Sequence, residues 1–223
     1  MSDPFQYQDS TSLSGVISAI NQLRADAPYR ARWMEFVDGE NLTARAQQLA
    51  KNNNLTLEEG PYYQPDKGVW LPQVHATEDL SVHISPHVRL QPHASRAYYY
   101  VSASGDDNKI NSITEALWNI GFEPKVFKKR RQEDKAKGVD IALTTDLLSN
   151  AYLDNYDVAV LVAGDGDYVP LVDEVKRIGK RVHVVFFEGR GLGLSPSLRL
   201  ASDWFYRLDN TFISGWGRRN SGE

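Results

Sequence analysis

The chain has 223 residues, with 25 Lys and Arg against 29 Asp and Glu, a formal net charge of −4, and 41% hydrophobic residues. This composition is typical of one large globular domain, and it excludes wholesale disorder, collagen and a polybasic chain. Cysteine is absent, which excludes disulfides, cysteine-ligated zinc, iron–sulfur clusters and thiol nucleophiles. The N-terminus lacks a signal-peptide pattern, and the longest apolar run, 158–163, is too short to span a membrane. These features predict a cytoplasmic protein with no membrane partner.

The first part of the chain contains one predicted helix ahead of the first strand. Apolar residues at helical spacing predict an amphipathic helix over 12–25, within an N-terminal extension that covers 1–27. Packing against its own domain is the favoured role for this helix, and a homodimer contact is the alternative. A buried strand is predicted at 32–38 and a helix at 41–51. From 52 to about 95, five prolines, four of the five histidines and no long periodic run predict an insertion of loops and short strands.

Strands and helices alternate regularly after the insertion. This alternation predicts βαβ units and a central, mostly parallel sheet, so the expected fold class is α/β. Unbroken apolar runs at 157–163 and 181–187 indicate strands that are buried on both faces. Residues 211–223 are predicted to form a flexible tail. The predicted strands are 96–102, 123–127, 157–163, 181–187 and 204–208, and the predicted helices are 106–120, 139–151, 168–178 and 195–202.

Two of the predicted strands end in acidic turns. The first ends at Asp38, and the fourth is followed by Asp165 and Asp167. Because sites in open parallel sheets form at the carboxyl ends of strands, we expect Asp38 and Asp165 to lie within a few ångströms of each other. Each residue has an alternative structural role, Asp38 as a helix N-cap and the other two as turn and cap residues. The occurrence of both turns at strand ends favours a functional site.

A third acidic element opens the helix that follows residue 137. Asp140 shares a helix face with Thr144, and Asp146 is offset from that face. Taken alone, Asp140 is best explained as a favourable acidic residue in a first helical turn. Together with the two acidic turns it would form a cluster that needs a compensating cation, and all-oxygen sites suit Mg²⁺ or Mn²⁺. Such a cation can activate a water toward a phosphodiester.

Two stretches of the sequence resemble the NYN domain family, the LabA-like branch of the PIN-like nucleases. They are FVDGENL near the start and KGVDIALTTDLL through AGDGDY to GKRVHVV, within 32–50 and 137–208. The resemblance implies a three-layer, Rossmann-like fold over 28–210, a metal-dependent nuclease site and RNA as substrate. Ala163 and Tyr168 stand where the family commonly has Ser and Phe, and we interpret both as minor departures, whereas the insertion at 52–95 is a larger one. The family pattern falls here on Asp38, Asn41, Lys137, Asp140, Asp146, Gly164, Asp165, Asp167, Gly179 and Val182.

A basic run precedes the helix of Asp140. Residues 125–137 contain seven Lys or Arg and two acidic residues, a local net charge of +5 in an acidic chain. This contrast favours contact with a nucleic-acid backbone over a merely solvated loop. The predicted nucleic-acid-binding residues are Asn41, Lys128, Lys129, Arg130, Arg131 and Lys137.

Two other groups of residues are assigned structural roles. Four histidines at 75, 83, 87 and 93 lack a complete ligand pattern, and a polar surface segment is favoured over a zinc site. The three tyrosines at 98–100 are assigned to sheet packing rather than to base stacking, because alternate residues of a strand face opposite ways.

These observations lead to the hypothesis of a metal-dependent endoribonuclease. The catalytic and metal-binding residues would be Asp38, Asp140, Asp165 and Asp167, with Thr144, Asp146 and Gly164 in support. A non-catalytic RNA-binding regulatory module and a DNA nuclease are the alternatives. A haloacid-dehalogenase-like phosphatase ranks far behind, because the sequence Asp38-Gly39-Glu40 lacks the second aspartate of its motif.

Overall fold

The structure is a computed structural model that describes residues 30–57, 59–60, 63–65, 67–69, 88–129, 138–188, 193–209 and 217–219. The chain divides into two units, Met1–Arg30 and Ala31–Glu223, and the fold described below is that of the second. The predicted helix at 12–25, three of the clustered histidines (75, 83 and 87) and most of the predicted tail lie outside the described residues.

The second unit alternates strands and helices as the sequence predicts. The strands are β1 (Trp33–Asp38), β2 (Leu55–Leu57), β3 (Tyr63–Gln64), β4 (Gly68–Val69), β5 (Arg96–Ser104), β6 (Glu123–Lys129), β7 (Val158–Val162), β8 (Arg181–Phe186), β9 (Trp204–Arg207) and β10 (Gly217–Arg219). The helices are α1 (Gly39–Asn52), α2 (Asp107–Asn119), α3 (Val139–Tyr152), α4 (Val169–Arg177) and α5 (Pro196–Ala201), and a 3₁₀ turn, Gly166–Tyr168, precedes α4.

The central sheet has six strands in the order β6-β5-β1-β7-β8-β9, and every pairing in it is parallel. The chain builds outward from β1 through β5 to β6, then returns to the other side of β1 for β7, β8 and β9. The direction of building therefore reverses between β1 and β7. Ligands of open α/β sheets bind at this kind of reversal, beyond the carboxyl ends of the strands.

The hydrophobic core lies on both faces of the middle strands. Every residue of β1 and of β7 is buried, which requires helices on both faces of the sheet and confirms the α/β, three-layer expectation. Phe36 of β1 stacks on Tyr98 of β5 and meets Tyr156 edge-on. Tyr99 and Tyr100 are fully buried, so these two tyrosines pack in the core as expected.

One strand end differs from the prediction, whereas two predicted helix ends agree with the structure. Strand β6 runs two residues further than predicted, because Lys128 and Lys129 pair with the last two residues of the long β5. These lysines are therefore strand residues, and the predicted end of this strand at 127 is wrong by two residues. Gly121 and Gly179, predicted to end helices, both have positive φ, a conformation that favours glycine.

The described part of the insertion forms a small hairpin on helix α1. Strands β3 and β4 pair with each other, and the backbone N–H of Val69 donates to Oγ1 of Thr43 on α1 at 3.1 Å. The Tyr99 hydroxyl donates to the Val69 carbonyl oxygen, which holds the hairpin to β5 as well. Three residues of the predicted tail, 217–219, form β10 and pair with β2.

Among the described helices, none combines the length and the apolar character needed to cross a bilayer.

Candidate active site

Asp38 ends β1 and caps α1, so the helix N-cap role that the sequence suggested is present in the structure. Its Oδ1 accepts the backbone N–H of Asn41 at 3.0 Å, which caps the helix. Its side chain is almost fully buried, with 5% exposure. Gly39 follows in a position where a Cβ atom would lie 2.1 Å from a ring carbon of Tyr99, so only glycine fits between the carboxylate and β5.

The two acidic turns are joined by a hydrogen bond. Strands β1 and β7 are neighbours, with Val37 beside Val162, so both turns leave the sheet at the same edge. The backbone N–H of Gly164 donates to Oδ1 of Asn41 at 3.1 Å. Asn41 thereby links the turn after β1 to the turn after β7, a positioning contact within the protein, whereas its predicted contact with nucleic acid stays a prediction.

Tyr168 brings together the two carboxylates of Asp38 and Asp140. The Tyr168 hydroxyl lies 3.1 Å from Oδ2 of Asp38 and 3.2 Å from Oδ1 of Asp140. Asp140 sits in the first turn of α3, which contacts β1 and β5. The carboxylate of Asp140 on α3 therefore lies close to the end of β1, as predicted. The side chain that holds the two together is Tyr168, which was interpreted from the sequence as a minor departure from the family pattern.

Burial sets the electrostatics of this pair. The pKa of Asp38 is raised to about 6, chiefly by removal from water and also by the carboxylates of Asp140 and Glu40, against the lowering effect of the hydrogen bonds from Asn41 and Tyr168. Burial and the two neighbouring carboxylates also raise the pKa of Tyr168 far above its ordinary value. The Tyr168 hydroxyl therefore keeps its proton and donates a hydrogen bond to the carboxylates. A nearby positive charge would stabilise the charged form of the Asp38 carboxylate.

The second acidic turn is organised locally and faces solvent. Oδ1 of Asp165 accepts the backbone N–H of Asp167 at 3.0 Å, and both side chains are exposed. The N–H of Ser195 donates to the carbonyl oxygen of Gly164 at 2.8 Å, which attaches the segment before α5 to this turn. Within the described residues, no hydrogen bond joins Asp165 or Asp167 to the other predicted carboxylates. Their membership of one catalytic set with Asp38 stays a prediction.

The donor set suits a hard cation held partly through water. In the part of the chain that the structure describes, no three Asp, Glu, His or Cys side chains come close enough together to hold a metal ion. Mg²⁺ commonly uses only one or two carboxylates and keeps several waters, so the pair of Asp38 and Asp140 is compatible with it. The all-oxygen chemistry and the buried, uncompensated carboxylate of Asp38 fit Mg²⁺ or Mn²⁺ better than a soft metal.

Within the described residues, no hydrogen bond joins two of the predicted supporting residues, Asp146 and Thr144, to the carboxylate pair. Asp146 accepts the Tyr100 hydroxyl at 2.9 Å and lies 3.5 Å from the ammonium group of Lys125. These contacts give Asp146 a structural role on the side of α3 that packs against β5. Thr144 is half-buried and makes no hydrogen bond through its side chain within the described ranges.

The described lysines of the basic run each pair with a carboxylate. Lys128 bonds to Asp107 at 2.6 Å, and Lys129 bonds to Glu40 at 2.9 Å. These ion pairs reduce the positive field that the sequence alone suggested for the start of the run. Arg130, Arg131 and Lys137 lie outside the described residues.

Sequence reasoning missed two side chains at this site. Tyr168 follows Asp167 directly, and a hydroxyl at a position where the family commonly has Phe was the available signal. Arg45 lies one helical turn after Asn41, and its guanidinium packs so closely on Gly193 that a Cβ there would lie 2.6 Å from Arg45 Nε. The spacing of four residues from Asn41 on α1 was the signal for Arg45.

The fold and the site define an α/β protein with a Rossmann-like strand order and carboxylates at the point where that order reverses. The chain belongs to the NYN domain family, whose model matches residues 33–209. That family is generally one of nucleases with a PIN-like fold. The match begins with β1 and ends just after β9, so it includes every predicted acidic residue.

Two individual proteins are similar to this chain, and both are of unknown function. An uncharacterized protein of Methanocaldococcus jannaschii, MJ0482, is 28% identical over 102 residues, which are 46% of this chain and 38% of that protein. The chain thus matches well under half the length of this relative. The crystal structure of VPA0982 from Vibrio parahaemolyticus superimposes with a TM-score of 0.53 at 20% identity, covering 86% of this chain and 99% of the other. That likeness shows the fold alone.

Proposed function

We propose that this protein is a metal-dependent ribonuclease that hydrolyses phosphodiester bonds at its acidic site. The observation that carries the proposal is the meeting of Asp38 and Asp140 on the Tyr168 hydroxyl, at the reversal point of an NYN domain. These carboxylates come from positions about a hundred residues apart, and the burial of Asp38 beside a second carboxylate is costly unless a cation or a proton compensates its charge.

Each residue of the site has a separate proposed role. Asp38 and Asp140 would hold Mg²⁺ or Mn²⁺, with Asp165 and Asp167 completing the set directly or through water. The bound cation would supply an activated water and charge neutralisation at the leaving oxygen. Tyr168 holds the first two carboxylates in place, and Asn41 holds the second acidic turn against the first. The Arg45 guanidinium, beside Gly193, is placed to meet a phosphate at this edge.

Several finer assignments belong to the same proposal. The order of the motifs supports the LabA-like branch of the family, with an N-terminal extension over 1–27, the catalytic domain over 28–210 and a tail after it. RNA is the proposed substrate in preference to DNA, and the proposed location is the cytoplasm. A homodimer through the helix at 12–25 remains the alternative to packing of that helix on its own domain.

The experiment is a cleavage assay with matched variants. Labelled single-stranded and structured RNA, and DNA of the same sequence, are incubated with the protein and Mg²⁺, Mn²⁺ or EDTA. Asp140→Asn should lower the cleavage rate at least a hundredfold, roughly the loss expected for a ligand of a catalytic metal. Asp173→Asn, an exposed residue of α4, is the control and should cut at the wild-type rate. Cleavage that persists in EDTA or in Asp140→Asn would contradict the proposal.

One observation favours a second candidate, a non-catalytic RNA-binding module. The described residues contain no preformed group of three metal-binding side chains, as such a module would not need one. This candidate predicts RNA binding with a steep salt dependence and no cutting under any metal condition. The same assay decides between the two, because only the nuclease produces fragments.

A further inference from the structure

A cleft of about 530 Å³ lies beside the first acidic turn. Its walls are the N-terminal part of α1, the end of β5, the first half of α2 and the β3–β4 hairpin of the insertion. A volume of this size is in the range that small-molecule and nucleotide sites occupy. The hairpin belongs to the predicted insertion at 52–95, so part of the cleft is built by that insertion.

The described lining of the cleft carries more positive than negative charge. Lys67, Lys109 and Lys129 line it, and Glu40 is the one acidic residue of this lining. Glu40 is engaged by Lys129 at 2.9 Å. The ammonium groups of Lys67 and Lys109 have no carboxylate partner among the described residues. In a chain with a net charge of −4, two lysines in one cleft without a described carboxylate partner favour an anionic ligand.

Both lysines are held at their bases, and their ammonium groups have no carboxylate partner in the part of the chain that the structure describes. The backbone N–H of Lys67 donates to the carbonyl oxygen of Gln64 at 2.9 Å, which closes the hairpin turn. The aliphatic part of Lys109 packs against Gly105, where a Cβ atom would lie 2.8 Å from Lys109 Cδ. The side-chain hydroxyl of Ser102 adds a buried polar atom that lines the cleft and has no partner within the described ranges.

The cleft lies at the same edge of the sheet as the carboxylates. Gly39 and Glu40 line it and directly follow Asp38 in the chain. The strands that border it, β5 and β6, are the first and second neighbours of β1 on that side. Since neighbouring strands are about 4.8 Å apart, the cleft is offset from Asp38 by roughly 5 to 10 Å. That offset is the size of one step along a single-stranded polynucleotide.

We propose that this cleft holds one nucleotide of the substrate strand, next to the phosphodiester at the carboxylate pair, with Lys67 and Lys109 contacting its phosphate. The inference rests on the proposed function, because it assumes a polynucleotide substrate. None of the described lining residues is aromatic, so the contribution of these residues is recognition of the backbone by charge.

The test measures binding of a labelled single-stranded RNA oligonucleotide to the full chain in EDTA, across a series of salt concentrations. The Lys67→Gln, Lys109→Gln double variant should bind about tenfold more weakly, and its log–log salt slope should fall by about 1.4, or 0.7 for each lost phosphate contact. The corresponding double arginine variant should retain wild-type affinity. Lys51→Gln, at the exposed far end of α1, is the matched control and should bind as the wild type does.

Several outcomes would overturn the inference. They are unchanged binding by the double glutamine variant, an equal loss in Lys51→Gln, or absence of nucleic-acid binding by the wild type. A mononucleotide, AMP, that binds as tightly as the oligonucleotide would also overturn it, because the cleft would then be a free-nucleotide site. If the double variant loses affinity as expected but the wild type never cuts RNA with Mg²⁺ or Mn²⁺, the inference stands and the catalytic proposal fails. If the wild type cuts RNA and the double variant binds normally, only the inference fails.

Discussion

The hydroxyl of Tyr168 lies 3.1 Å from the carboxylate of Asp38, a residue 130 positions earlier in the chain. The same hydroxyl lies 3.2 Å from Asp140, yet it carries a single proton and donates it to one carboxylate at a time. The other carboxylate is left without that donor. Because the hydroxyl serves only one carboxylate at a time, a bound cation would stabilise the pair. The contribution of each group can be measured by replacing it.

Replacement of Tyr168 by phenylalanine should reveal the strength of this contact. Tyr168→Phe keeps the buried ring but removes a donor to a charged, buried acceptor, which costs about 1 to 3 kcal/mol of unfolding free energy at pH 8. For a chain of this size the Tm should fall by about 2 to 4 °C for each kcal/mol. Thermal unfolding in EDTA measures the loss. Tyr152→Phe, which removes an exposed hydroxyl bonded to Glu174, is the control, and an equal loss in both variants would count against the assignment.

The pH dependence of stability should report the buried charge of Asp38. Its pKa is about 6 in the folded chain, above the ordinary 3.8, so the folded state keeps a proton that the unfolded state releases between these values. The contribution of Asp38 to the free energy of unfolding therefore decreases as pH rises from about 4 to 6, and the decrease is complete above pH 6. A shift of this size corresponds to about 3 kcal/mol.

Asp38→Asn removes this dependence while retaining the local contacts. Its amide oxygen still accepts from Asn41, and its NH₂ group can donate to the Tyr168 oxygen. In EDTA, the variant should equal the wild type near pH 4 and exceed it at pH 8 by up to about 3 kcal/mol. Urea unfolding at both pH values, with Asp173→Asn as the control, measures the difference. Parallel pH curves for wild type and Asp38→Asn would refute the raised pKa.

Asn41 should be needed to keep the two acidic turns together. Asn41→Ala leaves the buried N–H of Gly164 without its acceptor, at a cost of about 1 to 3 kcal/mol. Cleavage should fall along with stability, because Asp165 and Asp167 lose the link to the turn of Asp38. Asn119→Ala, at the exposed end of α2, should leave Tm and activity near wild type. Full activity in Asn41→Ala would show that the turns are positioned without this bond.

Gly39 should tolerate no side chain. In Gly39→Ala the new methyl group would lie 2.1 Å from a ring carbon of Tyr99 and 2.8 Å from the Tyr100 carbonyl oxygen, and both residues are fully buried. Because neither neighbour has room to move, the expected loss is about 3 kcal/mol or more. Gly60→Ala provides the control, since a Cβ there meets nothing within 4 Å. Denaturant midpoints compare the two variants. A small loss of stability in Gly39→Ala would show that β5 can shift to make room for the methyl group.

The parallel sheet and its ends were predictable from local patterns. Unbroken apolar runs marked the strands buried on both faces, and glycines marked the helix ends, because both signals depend only on neighbouring residues. The acidic turns were predictable for the same reason, since Asp38 ends one buried strand and Asp165 lies in the turn after another. The length of β6 was not predictable, because Lys128 and Lys129 belong to the strand only through their pairing with the end of the unusually long β5.

The sequence by itself determined that the chain is an α/β protein with carboxylates at two strand ends, because hydrophobic periodicity and turn residues act over short distances. Only the tertiary structure decided which groups meet. Tyr168, interpreted from sequence as a minor departure, joins Asp38 to Asp140, and the insertion hairpin brings Lys67 beside Lys109 in one cleft. The physical reason is that burial, pKa and the encounter of distant side chains depend on how the sheet and helices pack, and no local pattern records that packing.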